Sequence, residues 1–445
     1  MSAPSKSVNA WIFLGEDEPS GSNYKTPGSS YQSLITYGVY NYTDMVNICF
    51  ANTVPTSSST VPTGDGSTHT IQLQTSSHPD NYTNQQYMDW LIQDARATNP
   101  NIKLLITLGY AANEFTQIFS SDSSKWQQNA QDYANNLVAY LQHYNLDGFD
   151  VDWEGQFAYA TSQQQFAILF TAIRNAFNAT GRHYYLTLSP ASVGTLDANT
   201  VNSAFDFVNL QLYSGFTNAQ EFIQAGVNKD LLAYGAKFEV NGSVPYQDAQ
   251  GAYNGYTSGG YNVATQWRLN SNDFQYEQAQ QMILHQLVFG IPGTTFDDTP
   301  IVGAAGNPPI SGMTVRSGEV LDAIQATNTG SFQGTPVHYQ LLQHGGNGGS
   351  SSTVNIADGD AIVEVSGYTG IWFGWQCVLQ ITIKTRNGQV FGPFGSMGNA
   401  SSKTPFSHQA PSGQSIVAFS GSIENVPLAG GPNTDIIASL NVSFA

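Results

Sequence analysis

The stretch Leu146-Asp147-Gly148-Phe149-Asp150-Val151-Asp152-Trp153-Glu154 alternates acids with large apolar residues. Successive side chains of a β-strand point to opposite faces. The run therefore predicts a strand with Asp150, Asp152 and Glu154 on one face and Phe149, Val151 and Trp153 on the other. Two strand rises separate neighbouring carboxyls by about 6.6 Å. Three carboxyls on one shielded face repel one another and lose hydration, so at least one holds a proton. Pairs of this kind keep a general acid protonated near neutral pH. The plain alternatives are a solvated acidic edge, which the interleaved Phe, Val and Trp argue against, and a hard-cation site of oxygen ligands.

Outward from that strand, strand-like runs recur at 8–14, 46–51, 102–108, 148–153, 184–189, 207–213, 231–238 and 261–267. Helix-like stretches at 84–98, 125–144 and 162–180 lie between several of them. Another helix is expected over 273–289, opened by Asn272-Asp273 and stopped by Gly290 and Pro292. Eight strands alternating with helices read as βα units on a parallel sheet, and eight is the number that closes a barrel. The acidic run is the fourth strand. The Gly/Tyr/Ser-rich run 251–260 reads as a substrate loop before strand eight. Past Gly290 helical periodicity fades. Short strand-like runs at 310–315, 337–342, 361–366, 378–385, 415–419 and 436–444 recur between Gly, Asn and Pro. The expected fold class is α/β, a (β/α)8 TIM barrel over 1–290 followed by an all-β domain over 291–445.

Composition narrows the partners. The 445 residues carry 14 Lys+Arg against 32 Asp+Glu, a net charge of −18. Such a chain repels phosphate backbones and anionic bilayers, so no nucleic acid partner is expected. No apolar run reaches the length of a membrane span. The apolar run 8–14 is too short for a signal peptide and is followed by acids, which leads to an expectation of a cytoplasmic protein, with non-classical release or secretion compatible. Cys49 and Cys377 read as buried, unpaired thiols. No Cys/His cluster has metal spacing, and no metal or cofactor is expected.

The run Asp147-Gly148-Phe149-Asp150-Val151-Asp152-Trp153-Glu154 resembles the DGxDxDxE signature of glycoside hydrolase family 18, the chitinases and related endo-β-N-acetylglucosaminidases. In that family the motif lies on strand four of a (β/α)8 barrel. Lys103-Leu104-Leu105-Ile106-Thr107-Leu108-Gly109 is similar to the strand-three SxGG motif, with Thr107 in place of Ser and Tyr110 in place of the second Gly. Asn209-Leu210-Gln211-Leu212-Tyr213 resembles strand six, with Ser214 where the family has Asp or Asn. Ala264-Thr265-Gln266-Trp267 looks like strand eight. The resemblance covers about residues 8–290.

It implies substrate-assisted retention, an exception to the two-carboxylate scheme. Glu154 would protonate the glycosidic oxygen, and the substrate's N-acetyl carbonyl would attack the anomeric carbon. Asp152 would orient the acetamido group and stabilise its developing charge. Asp150 would share a proton with Asp152, and Tyr213 would hydrogen-bond the acetamido oxygen. Trp267 would floor the −1 sugar. Gln211 would contact substrate. Asp147 is read as support for the strand and grouped with the substrate-binding positions. Ser214 and Tyr110 depart from the pattern, and the loss of a polar partner at 214 keeps an N-glycan-cleaving activity open.

In the second half, Glu364-Val365-Ser366-Gly367-Tyr368-Thr369-Gly370 and Gly392-Pro393-Phe394-Gly395, with Thr295-Phe296-Asp297-Asp298, resemble the jacalin-related lectins, which fold as a β-prism of three four-stranded sheets. That resemblance implies a sugar site near the prism apex. Gly431-Pro432-Asn433-Thr434-Asp435 fits the family's Gly-x-x-x-Asp loop, with Gly431 and Asp435 as binding positions and Pro432 lacking one N–H donor. Trp375, with Gln376 beside it, stands where galactose-binding members place a stacking aromatic. The loop His344-Gly345-Gly346-Asn347-Gly348-Gly349 is either a second contact loop or a plain turn. The expected ligands are chitin or N-acetylglucosamine-containing glycans at the barrel and galactose- or mannose-type glycans at the lectin domain. Three readings result: a chitinase with a lectin module, an endo-β-N-acetylglucosaminidase on N-glycans, and a catalytically quiet chitinase-like lectin.

Overall fold

The computed structural model describes residues 4–15, 23–76, 78–239, 247–332, 334–427 and 432–445. They form two compact units, one of Met1–Gln247 with Gly251–Glu277 and one of Asp248–Gln250 with Gln278–Ala445.

In the first unit eight parallel strands close on themselves. They are β1 (Ser7–Phe13), β2 (Met45–Pro55), β3 (Lys103–Leu108), β4 (Gly148–Trp153), β5 (Tyr185–Pro190), β6 (Phe207–Leu210), β7 (Leu232–Lys237) and β8 (Val263–Trp267). β1 pairs with both β2 and β8, which shuts the cylinder. A short strand, His69–Leu73, pairs antiparallel along the far half of β2. Two of the flanking helices start on reciprocal side-chain caps. Thr83 with Gln86 and Ser162 with Gln165 each form a reciprocal capping box, opening helices Asn84–Thr98 and Gln163–Ala179. The outward side chains of β4 are fully buried, and Trp153 packs on Phe157 and Phe166 at 5.2 Å. Gly148 is required where β4 meets β5, because a Cβ there would lie 2.3 Å from the Tyr185 carbonyl oxygen.

The run 251–260 is not a loop. All of it but Gly260 lies in helix Ala249–Gly259. Its glycines answer to packing, since a Cβ on Gly255 would lie 2.5 Å from the Tyr234 hydroxyl. A segment that enters strand eight also sits at the strand beginnings, whereas barrel chemistry occupies the strand ends.

The second unit is all-β apart from helix Thr299–Ala304 and the helical residues before Gly290. It has three antiparallel sheets. One joins Thr295–Asp297, Ile416–Val426 and Thr434–Phe444. Another joins Thr335–Gln340, Leu321–Phe332, Ile310–Ser317 and Ser350–Asn355, with His344–Gly345 attached. The last joins Val390–Gly395, Trp375–Thr385, Ile362–Trp372 and Ala400–Gln409. The apolar cluster of Val320, Cys377, Leu379, Val426 and Ile436 joins two of these sheets with the turn before Leu321. Both cysteines are buried thiols outside any disulfide. No helix among the described residues is long and apolar enough to cross a membrane.

Candidate functional site

β4 sends Asp150 and Asp152 into the barrel, and Glu154 follows one residue past its end. Asp150 is fully buried. Its carboxylate accepts from the Thr187 hydroxyl at 2.5 Å and from the Ser189 hydroxyl at 3.0 and 3.1 Å. A longer buried polar chain feeds Ser189. Thr265 Oγ1 donates to Asn209 Oδ1 at 2.6 Å, and Asn209 Nδ2 donates to Ser189 Oγ at 3.2 Å. Because the amide occupies an acceptor position on Ser189, the serine proton is directed to Asp150. Burial still outweighs these bonds, and Asp150 is pushed up to about 7.

Asp152 lies one layer nearer the strand ends and accepts Gln211 Nε2 at 2.9 Å. Gln211 also donates to the Ser189 carbonyl at 3.1 Å, which fixes its amide plane. Asp152 is raised well above the ordinary carboxylate range by burial and then by the negative charges of Glu154 and Asp150. Glu154 is half-buried and raised by burial, which outweighs its hydrogen bond with Gln211. Asp152 and Glu154 titrate as a coupled pair, and burial favours the protonated form at all three acids.

These groups open into a cavity of about 240 Å³ lined by Asp152, Glu154, Gln211, Tyr213, Trp267 and an aromatic wall of Trp11, Phe13, Phe50 and Tyr110. Trp267 ends β8 and packs edge-on against Trp11 at 5.2 Å. Beneath it the Arg268 guanidinium lies 5.5 Å from the rings of both Phe13 and Trp267 and pairs with Glu239 at 3.4 Å. Tyr213 sits in the turn Leu212–Ser214 past β6. Burial and the charges of Asp152 and Glu154 hold its hydroxyl protonated, so it is a donor. The Ser214 hydroxyl accepts the Phe216 and Thr217 N–H groups at 3.2 and 3.4 Å, so it closes that turn.

The structure thus brings Asp152, Glu154, Gln211, Tyr213 and Trp267 around one pocket, with Asp150 packed below. Asp147 is elsewhere. It precedes β4 at the opposite end of the barrel, where it takes Arg96 at 3.1 Å, Arg182 at 2.6 Å and the Leu104 N–H at 3.0 Å. With its oxygens so engaged it supports the strand, and its grouping with the substrate-binding positions is corrected. Thr187, Ser189, Asn209 and Thr265 escaped the sequence reading, as did the aromatic wall. The period-two pairs Thr187-x-Ser189 and Asn209-x-Gln211 were the available signal, since they place polar residues inward on strands five and six.

The charge state of Asp150 gives a stability test. Its proton is held more tightly folded than unfolded, so its contribution is complete below the unfolded value near 4 and is lost as pH rises through about 7. Asp150→Asn is expected to flatten that loss and stabilise the barrel by about 2–4 kcal/mol at pH near 9, with about a third of that gain near pH 5. Thermal melts of both proteins at the two pH values check it, and an equal shift at both would refute the assignment.

In the second unit, Gly431 lies outside the described residues. Asp435 is half-buried and accepts from Asn425 Nδ2 at 2.7 Å. Its carbonyl accepts the Gly346 N–H at 3.1 Å, which places the glycine-rich run 344–349 against the Asp435 loop. A Cβ on Gly346 would lie 2.5 Å from that carbonyl oxygen. Trp375 is half-buried against the cluster containing Ile436, while Gln376 is exposed. Between Trp372 and Trp375 the two-residue turn holds Phe373 at φ 46° with 71% of its surface exposed. Trp372 Nε1 donates to Glu319 at 2.8 Å.

A family model described as glycosyl hydrolases family 18 matches residues 13–294, and one described as the jacalin-like lectin domain matches 286–426. An endochitinase of Brugia malayi is 24% identical over 307 residues, 65% of this chain and 51% of the relative. Chitinase A1 of Niallia circulans is 28% identical over 148 residues, 29% of this chain and 20% of the relative. The chain thus spans about half the length of the first of these relatives and a fifth of the second. Among solved structures, a galactose-binding lectin from Champedak covers 34% of the chain and 99% of itself at 23% identity and a TM-score of 0.26. YKL-39, solved with chitooligosaccharides, covers 64% and 100% at 11% identity and a TM-score of 0.45. The family 18 match takes in β4 with its three acids, the strand-six turn and Trp267, and on that match the chain belongs to the glycosyl hydrolases of family 18, with a jacalin-like lectin domain following in sequence.

Proposed function

We propose that the barrel hydrolyses β-1,4-linked N-acetylglucosamine polymers or oligomers with retention of configuration, and that the lectin domain holds glycans and raises their local concentration. The observation that carries this reading is the proton-retaining set Asp150–Asp152–Glu154 opening onto a Trp-walled pocket. Glu154 is the acid at the mouth and gives its proton to the leaving oxygen. Asp152, held by Gln211, faces the acetamido group, and the Tyr213 hydroxyl donates to that group's oxygen. The acetamido carbonyl closes on the anomeric carbon as the glycosidic bond breaks. Water then opens the oxazolinium ion, with Glu154 taking back a proton. Asp150 shares a proton with Asp152 and keeps it in the layer below, which leaves Asp152 the anion facing the acetamido group, and Trp267 offers an apolar face to the sugar. Galactose- or mannose-type glycans are the proposed ligands of the lectin domain, and joining two weak sugar sites raises avidity through effective concentration.

Cleavage within the core of N-glycans is the second reading. It is favoured by Ser214, which is spent on its own turn and leaves no carboxylate or amide at that position. Product analysis separates the readings. Chitin oligomers are expected to yield chitobiose with the new reducing end initially in the β configuration, read by NMR during turnover. Cleavage of an N-glycopeptide between its two core GlcNAc residues, with no cut in chitin oligomers, transfers the assignment to the second reading. No product from either substrate leaves a carbohydrate-binding barrel and refutes hydrolysis.

A further inference from the structure

The barrel's other mouth holds a second cavity, of about 720 Å³, within the usual range for small-molecule sites. Ser7, Met45, Lys103, Tyr185 and Phe207 line it, and each opens its strand. Asp152 and Glu154 lie at the opposite strand ends, so this cavity is distinct from the pocket described above.

Its character comes from three observations. First, Asn9 lines it with a side chain that is fully buried, and neither amide atom has a hydrogen-bond partner among the described residues. Buried amides are normally satisfied, so an orphan facing a cavity indicates a missing occupant. Second, Lys103 and Lys6 line the cavity, and neither has an acidic partner among the described residues. Two acids, Asp44 and Asp206, line the cavity as well, and both are engaged by other groups. Asp44 accepts the Val8 N–H at 2.7 Å, while Asp206 holds Arg174 at 2.6 Å and the Leu186 N–H at 2.8 Å. His183 also meets Asp206 at 3.3 Å. Third, the half-buried Tyr185 packs against a cluster that includes Met45 and Phe207, and offers a ring to whatever enters.

We propose that this cavity binds a small organic anion, a ring compound bearing a carboxylate or phosphate. The ammonium groups of Lys103 and Lys6 meet the anion, the Asn9 amide bonds polar substituents of the ring, and Tyr185 packs against its apolar face. Two charge-assisted contacts in a partly enclosed site give useful affinity.

The test is calorimetric titration of the full chain with glucuronate, glucose 6-phosphate and inorganic phosphate, repeated on the double variant Lys6→Gln/Lys103→Gln. At least one organic anion is expected to bind saturably, more weakly as salt rises. The double variant is expected to lose about tenfold or more in affinity, with hydrolysis of chitin oligomers and the thermal midpoint unchanged. Asn9→Leu is the second variant and is expected to weaken the same ligand. The proposal is overturned if neither organic anion saturates by about 10 mM, or if the double variant binds as well as the parent. It is also overturned if inorganic phosphate binds as tightly as both organic anions, which leaves the ring contact with no role.

Discussion

Glu154→Gln is expected to lower kcat on chitin oligomers by about 10³-fold, within the range that a positioned general acid contributes, while KM changes little. Glutamine keeps the shape and the hydrogen bonds of the acid but has no proton to give to the leaving oxygen. The side chain is half-buried at the pocket mouth, so the substitution neither opens a cavity nor strands a charge. The thermal midpoint is therefore expected to stay within a degree or two of the parent or to rise, since a carboxyl whose ionisation burial disfavours has been removed. The pH profile supplies an independent mark. Glu154 acts in its protonated form, so parent turnover is full below its raised pKa and falls as pH rises through it. The residual rate of the variant should lack that alkaline limb. A variant that keeps more than about a tenth of the parent kcat, or that retains the same limb, assigns the proton to another group and ends the role given to Glu154.

The fold was legible where the physics is local. Alternation fixed β4, and its register put Asp150 and Asp152 inward in the structure as expected from the sequence. Helix Phe274–Phe289 begins and ends where Asn272-Asp273 and Gly290 indicate. The reading failed where a distant contact decides. Residues 251–260 carry four glycines, which read as a loop, but one of them, Gly255, is dictated by the ring of Tyr234 on β7. Strands such as Ala400–Gln409 and Ser350–Asn355 were missed because most of their residues are exposed and polar. Their place is set by backbone pairing with Ile362–Trp372 and Ile310–Ser317, which leaves no apolar period to read.

The site was legible to the same degree. The acids, Gln211, Tyr213 and Trp267 stand together because a strand register and a turn past β6 put them there. Ser189 and Asn209 were not picked out, since single polar residues in apolar strands are common and only the closed barrel shows that they touch. Asp147 shows the reverse error. It belongs to the motif in sequence, yet one residue before β4 places it at the wrong end of the barrel, where Arg96 and Arg182 hold it.

Asp152→Asn is expected to cost about 10²–10³-fold in kcat, the scale for losing one preorganised electrostatic partner of developing charge, and to move the alkaline limb to lower pH. Two separate causes give the two effects. The first is charge. An oxazolinium ion carries a positive charge on the acetamido group, and the carboxylate held by Gln211 at 2.9 Å is the anion placed to meet it. Asparagine keeps a hydrogen bond but offers no charge. The second is coupling. Asp152 and Glu154 repel one another when ionised, and that repulsion raises the proton affinity of the pair. With Asp152 neutral, Glu154 loses the neighbour that resists its ionisation. Its pKa therefore falls, and the protonated acid is lost at lower pH than in the parent. KM is expected to shift far less than kcat, because the lost interaction grows only as charge develops. A full pH–rate profile of the variant on a soluble chitin oligomer decides the matter. A uniform loss with the limb unmoved would show that Asp152 acts on geometry alone, and a limb moved to higher pH would show that the two carboxyls are not coupled as their burial and spacing require.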